Sequence, residues 1–481
     1  MPFLLLFSSL LLLFLFLYLF RFYHERWGLP PGPFSLPLVG SLPFLSSQGS
    51  PGILDFALGE KFGSIYTVDV IWSKIVVLND FGMAKDLFNR EDVSGRYQGQ
   101  WHRFTKGYDG IAYGIINNEG PMWQSQRRFA LTNLKNLGFG KKSLESVIYN
   151  EVHHLFEVID EMIDGCSDVL IHDIFHVPII NVLWSIIASH RFEYSQAREI
   201  VEKLGLDLKK GIHINIFISI FANYVPLNES DEAMLYMKRF ISKNIDEHKN
   251  NLEVNAPKDF IDFYLIEMLK SQDPYFSKKQ LIVMLFDFFL AGSETTSTTL
   301  LWIILLMCLH NDIQLKCYQE ISQNIGNNFP REEDMKMLPF TLATISEVQR
   351  YANIAPASLV HKVLQTIRVG KYLIPKGTSV IANYHKFHMD PKVFPHPHEF
   401  NPYRFYKVPK PEQFVPYGFG KRICMGKSLA KKQLFYFFVM IVQNYIIRVP
   451  KDNPRPDPKK CTMGITSVPD PFYVNIQKRV V

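Results

Sequence analysis

Cys424 closes a run, Phe414–Gly426 (FVPYGFGKRICMG), that puts a sulfur, two cations and three glycines just before a helical pattern starting at Lys427. Glycines at 418, 420 and 426 let the backbone turn tightly and approach a flat ligand closely. A helix starting at Lys427 would aim unsatisfied N–H groups at any negative charge before it. A metal-bound thiol is such a charge, because coordination deprotonates it. Arg422, two residues before the sulfur, is placed to reach an anionic edge of the same ligand. The bland alternative for a single cysteine is a buried, inert thiol.

Other groupings could also do chemistry. Trp123 and Arg127 are four apart in PMWQSQRRFAL, so an indole N–H and a guanidinium share one helix face and suit a carboxylate. A core Trp beside a snorkelling Arg is the alternative. Glu294 and Thr295 lie in AGSETT, an acid and an alcohol directly after Ala291 and Gly292. Glycine in a helix interior costs about 1 kcal/mol relative to alanine, so Gly292 asks for a reason. Ala291 and Gly292 together would make a low wall for a flat cofactor and a diatomic ligand. Threonines bonded back to the preceding turn are the alternative for this stretch. Glu347 and Arg350 in SEVQR face the same way on a helix. His385, His388, His396 and His398 crowd HKFHMDPKVFPHPHEF, but the prolines there break metal-ligand geometry.

The cysteine loop resembles the haem-binding loop of the cytochrome P450 superfamily, in which one thiolate holds the iron. The resemblance extends through PPGP, WxxxR, AGxETT, ExxR, PxRF and the cysteine loop, from about residue 30 to the C-terminus. Details such as GKRIC and LIPKGT are similar to the family-2 type of animal microsomal enzymes. It implies haem b (iron protoporphyrin IX) with Cys424 as metal ligand, Gly426 and Arg422 beside it, and Tyr417 where the family usually has Phe. The ring would shield the sulfur, and its extra hydroxyl needs a partner. It also implies a haem propionate on Trp123 and Arg127. His361, in PASLVH, aligns with a further propionate partner, against the alternative of a solvent-exposed histidine. Thr295 would couple proton delivery to dioxygen activation, with Glu294 as relay. Glu347, Arg350 and Arg404 (in FNPYRF, with Tyr403 where the family often has Glu) would be a buried structural triad.

These groups need a large frame to hold them. With 481 residues, 47% of them hydrophobic, the chain could bury a sizeable core. The resemblance implies a mainly α fold with smaller β-sheets (α+β): one transmembrane helix, residues 1–22, a hinge, 23–40, and a single haem domain, 41–481. The longest helical pattern, Lys279–His310, is apolar on both sides of SETTSTT, and Asp287 with that polar island argues against a membrane span. Residues 143–270 read as amphipathic helices joined by short polar loops, and Thr67–Leu78 as a strand. Residues 212–227 are apolar but too short to span, and read as an interfacial segment, a pocket lid or core.

Phe3–Phe20 holds no charge and as a helix would cover about 27 Å, close to a bilayer's hydrocarbon thickness. A cleaved signal peptide fits less well, since no basic region precedes it and no alanine occurs before Ala57. Arg21 and Arg26 follow the span, so the positive-inside rule expects the rest on the cytosolic side of the endoplasmic reticulum. Pro30, Pro31, Pro33 and Pro37 then make a stiff, extended linker. Net charge of +6 with scattered basic clusters suggests no nucleic-acid partner. Five widely separated cysteines suggest neither a disulfide framework nor a zinc site.

The implied activity is insertion of one oxygen atom from O2 into an apolar small molecule, such as a xenobiotic, fatty acid or steroid. Electrons would come from NADPH through NADPH–cytochrome P450 reductase, with cytochrome b5 as a second donor. Lys421, Lys427, Lys431, Lys432, Arg127 and Arg128 would form a basic docking face for the reductase, or else are solvated charges. The alternatives are haem-thiolate isomerase or dehydratase chemistry, which needs no reductase, and a non-catalytic haem or gas sensor.

Overall fold

The computed structural model describes residues 2–24, 26–45, 56–70, 73–96, 111–137, 143–166, 168–195, 229–463 and 466–479. The apolar segment 212–227 lies outside the described residues. The chain divides into two compact units interleaved in sequence. One holds residues 1–97, 357–386 and 419–422; the other holds 98–356, 387–418 and 423–481.

The smaller unit begins with the helix Pro2–His24, of which Leu6–His24 is apolar and long enough to cross a membrane. The proline segment after it is docked rather than free. Thr67 N–H donates to Pro31 O (2.8 Å), and Arg26 donates to Pro33 O (3.2 Å) and pairs with buried Asp69 (3.3 Å). Gly32 is required there, because a Cβ would run into the carbonyl oxygen of Thr67. The stretch read as one strand is a hairpin, Ile65–Val70 against Ser73–Leu78, paired from Ile65↔Leu78 to Val70↔Ser73. Ser73–Leu78 runs parallel to Ser379–Ala382, which pairs with His361–Lys362 and through it with Gly95–Arg96.

The larger unit is built around the helix Lys278–Leu309. Ser277 caps its start by accepting from Gln280 N–H, and the helix is buried along most of its length. That burial, not a bilayer, accounts for its apolar composition. It packs against His176–Ala188, Pro339–Ala352 and Lys427–Asn444. Helices Ser143–Ile163, Glu229–Asn250 and Phe260–Lys270 lie within the stretch 143–270 expected to be helical, of which residues 196–228 are outside the described residues. A small antiparallel sheet joins Val169–Ile171 to Phe472–Lys478 and that strand to Tyr445–Arg448. The fold is mainly helical with small sheets, as the sequence implies.

Candidate active site

In the larger unit the chain turns through Val415–Gly418, and Cys424 N–H bonds back to Tyr417 O (3.0 Å). Gly418 takes a left-handed φ of 66°, which a side chain would resist. Gly426 caps the helix Lys427–Asn444, and a Cβ on it would sit 3.9 Å from the Cys424 sulfur. Cys424 is exposed to solvent, yet burial by the surrounding protein is the main cause pushing its thiol up. The N–H groups of Gly426 and Lys427, with Arg127 and Lys427, act the other way and favour the thiolate.

The Tyr417 hydroxyl has the partner it needs: it accepts from Gln349 Nε2 at 2.8 Å. Burial pushes this phenol up to about 12, so it is neutral at physiological pH. Trp123 is buried on the helix Gly120–Leu137, and Arg127 follows one turn later. Arg127 donates to Ile423 O at 2.5 Å, next to the cysteine, and its guanidinium lies 5.8 Å from the Trp123 ring. Burial lowers its pKa, opposed by the charge of Cys424.

Glu347 and Arg350 form a fully buried bidentate pair, with both N···O distances 2.8 Å. The remaining Arg350 donors go to the carbonyls of His388 (3.1 Å), Pro397 (2.8 Å) and Glu399 (3.2 Å). Arg404 is the third member as expected, 3.3 Å from Glu347 and bonded to the carbonyls of Pro395 and His396. His388 is a positioning group. Asn353 Oδ1 lies 2.9 Å from its Nδ1, and its Nε2 accepts from Val415 N–H at 2.9 Å. That bond fixes the start of the cysteine loop.

The helix Lys278–Leu309 is buried on nearly every side in its middle turns, but Ala291 is exposed and Leu290, Gly292 and Thr295 are half-buried. Ala291 and Thr295, one turn apart, mark an accessible face on a core helix. Thr295 Oγ1 donates to Ala291 O at 2.9 Å, the back-bond that threonines in helices make. Gly292 needs a corrected reading. A Cβ there would come 2.5 Å from Leu183 Cδ2, so its missing side chain admits the neighbouring helix rather than a flat ligand. Ala291 alone supplies the low wall. Glu294 points into the core, where its Oε2 lies 2.9 Å from His176 Nε2. Its Oε1 accepts from Thr298 (3.3 Å) and Thr466 (3.2 Å).

In the smaller unit His361 is buried, which removes the solvent-exposed alternative. Its Nδ1 donates to Val93 O (2.8 Å) and its ring stacks on Phe88 at 3.8 Å. Burial, then the charges of Arg96 and Arg422, hold it well below the usual imidazole range. Arg422 donates to Ser94 O at 2.9 Å, and Gly420 leaves room for the Phe88 carbonyl, where a Cβ would collide.

Sequence reasoning missed Arg96, buried and directly opposite His361 in the strand register. No motif marks it; only the pairing does. It also missed His176, whose surroundings His-Val-Pro-Ile-Ile read as ordinary core. The basic face shrinks: Lys432 is buried against Glu332 (2.7 Å), Arg127 is turned to Ile423, and Lys421 pairs with Glu91 (2.8 Å). Among the described residues, the only grouping with metal-ligand proximity is His248, Asp259 and Asp262, which includes none of the four crowded histidines.

A cysteine sulfur among helix-start N–H donors, with an accessible Ala–Thr face on a core helix, defines a thiolate site of the haem-enzyme class. The chain belongs to the cytochrome P450 family, whose model matches residues 30–476. It is 34% identical to cytochrome P450 2C3 of Oryctolagus cuniculus, over 94% of each chain. It is 32% identical to cytochrome P450 18a1 of Drosophila melanogaster, over 95% of this chain and 88% of that one. Farnesoate epoxidase of Bombyx mori is 30% identical over 90% of each. Family membership brings haem and, at the level of reaction class, haem-thiolate monooxygenation.

Proposed function

We propose that this protein is a membrane-anchored, NADPH-dependent monooxygenase that inserts one oxygen atom from O2 into an apolar small molecule. The observation that carries the reading is the accessible Cys424 sulfur set against the N–H groups of Gly426 and Lys427. A soft anionic sulfur with those donors fits haem iron. Trp123 and Arg127 would serve one propionate, and Arg96, His361 and Arg422 a carboxylate in the smaller unit. A bound carboxylate would act to raise the depressed His361, against the burial and the Arg96 and Arg422 charges that lower it. When bound, the haem would supply dioxygen activation at its iron.

The chain's own residues would do the rest. Backbone donors and the Tyr417 ring hold the sulfur anionic and shielded, and Glu347, Arg350, Arg404 and His388 fix the loop that carries it. Ala291 leaves space beside the helix, and the Thr295 hydroxyl, bonded through its proton to Ala291 O, keeps lone pairs to accept from water. Glu294 stores the proton that Thr295 would help deliver. Electrons would arrive from NADPH–cytochrome P450 reductase, with cytochrome b5 as second donor, steered by Lys427, Lys431 and Arg128. Residues 1–22 would anchor the protein in the endoplasmic reticulum membrane, residues 23–40 join anchor to domain, and residues 41–481 form the catalytic domain on the cytosolic side. Xenobiotics, fatty acids and steroids are the substrate classes to screen.

Reduced, purified protein should show a thiolate-type Soret shift with carbon monoxide, and Cys424→Ser should lose it. With recombinant reductase and NADPH, a substrate panel read by mass spectrometry should return a product with one oxygen from O2. A folded, haem-loaded protein without the thiolate shift overturns the reading. A thiolate shift without NADPH consumption would move it to isomerase, dehydratase or sensor chemistry.

A further inference from the structure

Four ionisable side chains of the larger unit form a line from its surface to the buried acid of the core helix. His172, at one end, has a side chain 45% exposed, and its Nδ1 lies 2.7 Å from Asp173 Oδ2. Asp173 is 21% exposed and sits at a left-handed φ of 49°, which aspartate tolerates. Its Oδ1 is 3.6 Å from His176 Nδ1, and the His176 side chain is only 5% exposed. His176 Nε2 then meets Glu294 Oε2 at 2.9 Å. Exposure falls from His172 to the buried pair His176–Glu294 while bases and acids alternate. The hydroxyls of Thr298 and Thr466 donate to Glu294 at the inner end of the line.

The one contact outside hydrogen-bond length is the second, between Asp173 and His176. His176 Nδ1 is a buried nitrogen with no hydrogen-bond partner among the described residues, and Asp173 Oδ1 stands just beyond reach. An unsatisfied buried imidazole nitrogen is costly, and a small rotation about the Asp173 side chain would satisfy it. This position is the one gap in an otherwise connected path.

We propose that His172, Asp173 and His176 are a proton relay that supplies Glu294 from solvent, with His176 its positioning residue. The inference rests on the reading of Glu294 as the proton store of the monooxygenase. His172 takes a proton from water and passes one to Asp173. Asp173 swings and gives it to His176 Nδ1, and His176 releases its Nε2 proton to Glu294 Oε2. One proton leaves water, one arrives on Glu294, and a ring flip restores the imidazole. Arginine in the place of His176 would hold Glu294 just as firmly but could release no proton, since guanidinium does not ionise in proteins.

The test uses full-length, haem-loaded protein labelled with 15N in its histidine rings, as the diamagnetic carbon monoxide complex. Exchange of the His176 ring N–H with D2O is followed by NMR. Asp173→Asn and the surface variant His172→Gln should slow it roughly ten-fold. In the reductase-coupled assay, both and His176→Gln should release more peroxide and less product per NADPH, with haem content unchanged. Should His176→Gln fail to fold, the other two decide. Wild-type exchange and coupling in those variants would overturn the relay. Slowed exchange in the two variants, together with a wild-type protein that yields no oxidised product, would leave the relay standing and remove the monooxygenase reading.

Discussion

Glu347 and Glu294 are both buried carboxylates held by a base, and their surroundings differ in one chemical respect. Around Glu347 the partners are two guanidiniums and the Asn401 N–H, and the other Arg350 donors end on the carbonyls of residues 388, 397 and 399 and on the Met389 sulfur. No proton there can leave, because arginine stays charged in proteins. Around Glu294 the partner is an imidazole, which does gain and lose protons near neutrality, and two threonine hydroxyls whose hydrogens rotate. The first cluster is charge used as a fastening beneath the thiolate. The second is charge able to move, on the helix that carries Thr295. The base opposite the acid, not its burial, separates the two roles.

The largest effect expected from this contrast is on stability at the fastening. Glu347→Ala leaves two guanidiniums buried without their acid and should cost about 3–5 kcal/mol. The readout is the yield of haem-loaded protein and its thermal midpoint. Glu294→Gln, which keeps a hydrogen-bonding side chain against His176, Thr298 and Thr466, should cost far less. Equal losses for the two would end the distinction drawn here.

Next comes the reverse experiment, on function. Thr295→Ala removes a hydroxyl that donates to its own helix at Ala291 O, so the thermal midpoint should hardly move. Coupling should fall roughly ten-fold, with peroxide replacing product. Glu347→Gln, if it loads haem, should keep its coupling. Oxygen uptake, peroxide and product measured together separate the outcomes.

An imidazole–carboxylate pair nearer solvent provides a control for the mobile kind of charge. His248 Nε2 lies 2.8 Å from Asp259, and that bond raises the imidazole from 6.5 to about 9. A raised base stabilises the fold fully below 6.5 and loses that contribution as pH climbs through about 9. After solvent screening the loss should be on the order of 1 kcal/mol, and His248→Gln should abolish it. His361, held well below 6.5, carries the opposite sign. The unfolded chain takes a proton there that the fold refuses, so stability drops as pH falls below 6.5. Urea midpoints across this range, for wild type, His248→Gln and His361→Gln, resolve the two limbs.

The fastening could be read in the sequence and the mobile pair could not. Glu347 and Arg350 are three residues apart on one helix, so local spacing already brings them together. Cys424 announces itself through its glycines. Glu294 was legible as an acid beside an alcohol, but its partner is 118 residues away in a stretch that looks like plain core. Arg96 meets His361 only through strand register, which one chain's spacing does not specify. Gly292 was visible as an anomaly and was assigned the wrong neighbour, since helix propensity says that a glycine is costly without saying which side chain needs the room. The same limit made six basic residues look like one face before Lys432 and Arg127 were seen to be committed inside.

The smallest effect belongs to Tyr417, and it sharpens the contrast because it touches the thiolate side without carrying charge. Gln349, two residues after Glu347, donates to the phenol oxygen at 2.8 Å, so the helix that supplies the fastening also holds the ring beside the sulfur loop. Tyr417→Phe would remove one neutral bond and leave the ring, costing about 1 kcal/mol. With its phenol pushed up to about 12, Tyr417 adds no charge near the sulfur at physiological pH. The substitution should therefore leave the carbon monoxide spectrum thiolate-type and the coupling intact, while lowering the thermal midpoint slightly. A large loss of coupling in Tyr417→Phe would mean that the phenol itself handles protons, and that the thiolate side is less inert than its guanidiniums make it.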